Sequence, residues 1–199
     1  MNNIKSAALA IVVVSAGLRL SAQNVLVNGS FETGTFTGWD ITAETGNLAV
    51  SSSEGSTDGI YSAIFNTAGS PNGGLLSQTV PTTIGDFYEL KFSFGAYGSG
   101  GLQQLAVDAI GASTLLNVRA AAPTASIPTT FGAFQYFFQP DSSSTTISFT
   151  DIASGDISQS DGVLDNVVLL HFPSVPEPST LALTAMSSVA GLLALRRRK

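Results

Sequence analysis

Fourteen carboxylates carry most of the chemistry open to this chain of 199 residues. Cysteine is absent, and His171 is the single histidine. Thiol nucleophiles, disulfides and thiolate zinc sites are therefore excluded, and the commonest general base is confined to one position near the edge of a C-terminal linker. Paired carboxylates suffice for glycoside hydrolysis, but no local signature marks such a pair. Asp151, Asp156, Asp161 and Asp165 recur through a Gly/Ser-rich stretch that lacks the alternating ligand positions of an EF-hand. Like charges at this spacing repel one another, and they read as a solvated acidic loop. No Ser-His-Asp set can form around a histidine in a linker, so binding is expected here and catalysis is not.

The groups that could bind are aromatic rings and amides. Trp39 is the only tryptophan, and a single large aromatic beside a strand is expected in the core. That leaves Tyr61 and Tyr97 as candidate sugar platforms, with Asn66, Asn72, Gln103, Gln104 and Arg119 as candidate hydrogen-bonding partners.

Strands must position these residues, because no long helical period appears inside the domain. Short β-branched or aromatic runs alternate with Gly, Ser, Thr and Asn. The clearest run is Phe87–Tyr97, where Tyr88, Leu90, Phe92, Phe94 and Ala96 fall on one face and Glu89, Lys91 and Ser93 on the other. Phe134, Tyr136 and Phe138 repeat the alternation, as do Ile147 and Phe149. About ten short strands with frequent turns predict an all-β, antiparallel sandwich or jelly roll. Gly98-Ser99-Gly100-Gly101 reads as a flexible hairpin-like link, and Ala120–Pro128 as a longer loop.

Both ends of the chain read as addresses. Residues 1–22 have the Lys5, apolar Ala7–Leu18 and small Ala22 of a signal peptide. The sandwich spans 24–172, and 173–180 forms a linker containing Val175, Pro176, Glu177 and Pro178. Residues 181–195 carry no charge and make a short transmembrane segment, held by the basic end 196–199 on the cytoplasmic side. Between 24 and 178 only Lys91 and Arg119 oppose all fourteen acids. That surface excludes nucleic acid as a partner and leaves divalent cations and neutral sugars compatible.

The tail VPEPST, its short apolar run and its Arg-Arg-Arg-Lys end resemble the PEP-CTERM sorting signal of Gram-negative bacteria that make extracellular polysaccharide. The resemblance implies recognition by an exosortase at the inner membrane, then delivery to the cell surface or matrix. Separately, Asn28-Gly-Ser-Phe-Glu32 with Gly38-Trp39, and Leu164-Asp-Asn-Val-Val-Leu169, resemble the opening and closing strands of galactose-binding-like jelly rolls, many of them carbohydrate-binding modules. That resemblance makes Glu32 and Asp165 candidate ligands of a structural calcium ion, whose hard-oxygen chemistry two carboxylates and backbone carbonyls would satisfy. The residues alone equally allow Glu32 to cap a turn and Asp165 to open an edge strand. The expected function is noncatalytic binding of an extracellular polysaccharide; a ligand-free structural or adhesive matrix protein and a small polysaccharide-modifying enzyme are the alternatives.

Overall fold

Period-two patterning of large apolar residues becomes two facing sheets in the computed structural model, which describes residues 22–42, 47–67, 74–154 and 158–174. The expected signal peptide up to residue 21, the Val175–Pro178 motif, the apolar stretch 181–195 and the basic end 196–199 lie outside the described residues, as do Asn72 and Asp156. Among the described residues no helix is long and apolar enough to cross a membrane.

Eleven strands follow one another: β1 (Gln23–Asn24), β2 (Asp40–Thr42), β3 (Leu48–Ser51), β4 (Ser62–Phe65), β5 (Leu75–Pro81), β6 (Phe87–Gly98), β7 (Gln104–Ile110), β8 (Thr114–Ala121), β9 (Thr130–Phe138), β10 (Ser144–Asp151) and β11 (Ser160–Phe172). The first sheet runs β3-β4-β11-β6-β9, with β1 also on β11; the second runs β2-β5-β10-β7-β8. All the ladders are antiparallel. The alternation expected of β6 holds: Tyr88, Leu90, Phe92, Phe94 and Ala96 are all at most 3% exposed. Phe149 and Ile147 of β10 meet them from the second sheet, with Phe92 set edge-on to Phe149 at 5.1 Å between centroids. Each such fully buried side chain contributes about 1.5–3 kcal/mol against solvent exposure.

Three expectations are corrected here. The link Gly98–Gly101 joins no hairpin, because β11 and β9 already occupy both edges of β6 and send the chain across to the second sheet. The acidic stretch is no solvated loop either. Asp161 and Asp165 lie on β11 and Asp151 ends β10, with Asp151 and Asp165 buried. Backbone donors satisfy them there: Ala153 N–H donates to Asp151 Oδ1 at 2.9 Å, and a loop from the far side of β4 caps Asp165. Finally, His171 belongs to β11 and not to a linker; its ring stacks on Tyr88 and its Nε2 lies 2.6 Å from Asp86 Oδ2.

Candidate functional site

The opening and closing segments meet, as their resemblance to jelly-roll end strands implies. Val167 N–H donates to the Gly29 carbonyl at 2.8 Å, and Leu169 N–H to Asn24 Oδ1 at 3.0 Å. Asn28 adopts a left-handed backbone (φ 52°), which asparagine tolerates because its side chain can bond locally. Its Nδ2 reaches the Thr35 and Thr37 carbonyls, and its own carbonyl accepts from Trp39 Nε1 at 3.0 Å. Trp39 is thereby fixed in the core against Phe31 and Phe149, as expected of it.

Against this seam, two carboxylates hold one loop. Asp165 Oδ2 accepts from Thr57 N–H at 2.5 Å, Asp58 N–H at 2.8 Å and Thr57 Oγ1 at 3.1 Å, while its Oδ1 accepts from Asn166 N–H. Glu32 Oε1 accepts from Ile60 N–H and Tyr61 N–H at 2.9 and 2.7 Å. Gly59 lies between the two grips with φ +72°, and a Cβ there would strike the Glu32 carboxylate. Far from opening an edge strand, Asp165 sits on a strand bonded on both sides, and burial pushes its carboxyl up despite the donors around it. Calcium needs about six to eight oxygens. Both Asp165 oxygens already face N–H or O–H donors, and among the described residues no three His, Asp or Glu side chains gather as ligands. As they stand, these carboxylates hold backbone amides.

A third carboxylate feels the charge of the same loop. Asp161 is pushed up to about 6, first by burial and then by the neighbouring charge of Glu54. Its folded pKa therefore exceeds the unfolded value, so the domain loses stability as pH rises from about 4 to about 6. Asp161→Asn is expected to raise the unfolding midpoint at pH 7 and leave it unchanged at pH 3.5. The gain is about 1–2 kcal/mol once solvent screening of a partly exposed group is allowed for. Thermal melts of both proteins across this range check it, and an equal shift at both pH values would disprove it.

Beside the loop, on the outer face of the first sheet, lies a groove of about 320 Å³ between β11, β6 and β9. Lys91 and Ser93, Ala133 and Gln135, and Asn166 and Val168 line it. Phe92 and Phe134 also border it, but their rings turn inward to the core, stacked at 5.1 Å. A β-bulge shapes one wall: the register passes from Asp165 opposite Ser93 to Val168 opposite Lys91, so two residues face Phe92 alone. The extra residue lets Val167 turn into the core while Asn166, with φ 51°, faces the groove. Glu89 lies beside the groove, two residues from Lys91 on the same strand, at 4% exposure, with Lys91 Nζ 2.9 Å from its Oε2 and Gln135 Nε2 bonded to its Oε1.

Outward positions of the second sheet differ. Thr79 and Thr146 bond each other at 2.8 Å, Asn117 bonds Asp108, and Ser148 and Arg119 complete a polar face with no aromatic ring among the described residues. The candidates read from sequence are dispersed over the fold. Tyr61 is half-buried beside Gly34, and Tyr97 lies six residues along β6 from Lys91; neither lines the groove. Asn66 and Gln103 are buried and both donate to the Ser160 carbonyl, while Gln104 and Arg119 lie on the second sheet. Sequence reasoning missed Gln135 and Asn166; Lys91 and Ser93 were legible only as the polar face of β6.

The family model for the PEP-CTERM protein-sorting motif matches residues 174–199. The tail is a PEP-CTERM sorting motif. It assigns the chain to exosortase-sorted export. The matched PEP-CTERM region begins at Ser174, whose N–H and Oγ both bond Asp86 Oδ1, at 2.9 and 2.7 Å. No curated protein matches the chain. Among solved structures, TmCBM61 in complex with β-1,4-galactotriose is similar at 19% identity and TM-score 0.55, over 75% of this chain and 99% of its own. The CBM22-1 xylan-binding domain from Paenibacillus barcinonensis Xyn10C is similar at 16% identity and TM-score 0.55, over 77% and 98%. The K3 cleaved adhesin domain of Lys-gingipain from Porphyromonas gingivalis w83 is similar at 17% identity and TM-score 0.53, over 73% and 98%. Likeness at this level establishes the fold, a jelly roll of the kind seen in carbohydrate-binding modules.

Proposed function

We propose that this chain is an exported surface or matrix protein whose jelly roll binds an extracellular polysaccharide without acting on it. In this reading a signal peptide exports the chain, and the segment 181–199 holds it in the inner membrane until an exosortase processes it. The observation that carries the binding is the groove between β11, β6 and β9, which offers an ammonium, two amides and a hydroxyl beside Ala133 and Val168. Its volume falls at the lower end of the range of small-molecule sites, roughly 300–1,000 Å³. Likeness to galactotriose- and xylan-binding modules supports the same class of ligand. The interacting carboxylates Asp161 and Glu54 do not line the groove. Likeness to the gingipain adhesin domain favours, as a second reading, an adhesive matrix protein.

Thermal unfolding of the full-length protein over a panel of soluble polysaccharides tests the proposal. A ligand that binds only the folded state raises the midpoint by RT ln(1 + [L]/Kd). A rise with at least one polysaccharide, with no product released from it, is the expected result; no rise with any of them leaves the adhesive reading in its place. Running the panel with and without calcium decides the metal as well. A calcium-dependent rise that vanishes in Glu32→Gln would place an ion at Glu32 and Asp165, whereas no rise leaves the loop to the amide donors alone.

A further inference from the structure

We propose that the groove takes a neutral glycan, one ring of which lies on Phe137. This rests on the carbohydrate-binding reading above and adds the charge and the platform of the ligand. Phe137 belongs to the edge strand β9, pairs with Glu89 of β6, and sits two residues from Gln135 on the same outward face. It is 59% exposed, although its neighbours Tyr136 and Phe138 pack inward. An exposed aromatic at the rim of a polar groove presents a flat apolar face next to hydrogen-bonding groups, and a pyranose offers the complement: one face of C–H bonds and an equatorial rim of hydroxyls.

The groove's cation does not favour an acidic sugar. Lys91 is held by Glu89, and because Glu89 is buried its charge must stay compensated. A uronate entering the groove would have to share Lys91 with the Glu89 carboxylate, whose charge repels it. It would also approach a domain in which two basic residues oppose thirteen acids. What remains free is balanced: the other N–H bonds of Lys91, the Gln135 carbonyl, the Ser93 hydroxyl and the Asn166 amide. Sugar hydroxyls, each both donor and acceptor, match that mixture. Because β9 has a partner on one side only, a chain lying on Phe137 can run on past the edge of the sheet.

Affinity electrophoresis of the full-length protein, in a detergent without a sugar headgroup, tests the assignment. Gels carry neutral galactan, xylan or glucan, or uronic-acid polymers such as alginate. At least one neutral polymer is expected to retard the protein, equally at low and high salt. Phe137→Ala should weaken that retardation about tenfold with an unchanged melting midpoint, and Phe137→Tyr should restore it. Retardation by uronic-acid polymers alone would overturn the proposal, as would neutral binding that survives Phe137→Ala. A Phe137→Ala protein that binds normally but loses self-association would assign the ring to contacts between copies, also overturning it. Retardation by no polymer of either charge would fail the carbohydrate reading itself.

Discussion

Gly29→Ala is expected to destabilise the domain by about 3–5 kcal/mol. The new methyl would point directly onto the Val167 carbonyl oxygen, which is backbone and cannot rotate away. Relief requires β11 to shift at its bulge, which breaks the 2.8 Å bond from Val167 N–H to the Gly29 carbonyl. The clash and the lost bond therefore act together. For a domain of this size the melting midpoint should fall by roughly 10 °C. Gly85→Ala is the matched control: its φ is +84°, yet a Cβ there meets nothing within 4 Å, so only backbone strain of about 1 kcal/mol is expected. Circular-dichroism melts of the two variants decide it. A Gly29→Ala midpoint within about 2 °C of wild type would show that the opening segment is not locked to β11 in this way.

Asp165→Ala comes next in size, at about 3 kcal/mol, and it should act on one loop before it acts on the whole. Removing the carboxylate strands the N–H groups of Thr57, Asp58 and Asn166, and the Thr57 hydroxyl loses its acceptor. Part of the loss is offset, because the charge that burial disfavours goes as well. Hydrogen exchange separates the local effect from the global one. The Thr57 and Asp58 amides should exchange far faster at temperatures where the inner strands remain protected. Unchanged protection at both amides would mean that Glu32 holds the loop by itself. Asp165→Asn should fall between wild type and alanine, since an amide keeps one acceptor but turns an NH₂ group toward the same donors.

How much of this was legible in the sequence depends on whether the deciding residues were neighbours. The inward face of β6 follows from the period-two spacing of Tyr88, Leu90, Phe92, Phe94 and Ala96, and each is buried as that spacing requires. The meeting of the Asn28–Glu32 segment with Leu164–Leu169 was readable as a pair of segments. The hydrogen bonds that make it depend on a bulge at Asn166 that no local pattern announces. Asp165 was read as a possible calcium ligand or as the start of an edge strand. Its partners are backbone amides at Thr57 and Asp58, more than a hundred residues away in a loop without periodicity. The groove was hidden for the same reason, since Lys91, Gln135 and Asn166 are polar residues of three separate strands and only the sheet order brings them together. Phe137 did leave a trace: it stands out of phase with Phe134, Tyr136 and Phe138, which places it on the outward face of its strand.

The placing of β11 has a mechanical meaning. Its residues bond β6 along one side and β4 and β1 along the other, and it is the strand that leads into the sorting segment. Tension applied through the tail therefore enters the middle of a sheet along the strand axis, where the ladder bonds from Ser160 to Phe172 resist in shear together and cannot peel one at a time. The bonds from Ser174 to Asp86 meet the load first, with the His171–Asp86 contact just behind them. A pull on the tail is thus carried along β11 into the centre of the first sheet.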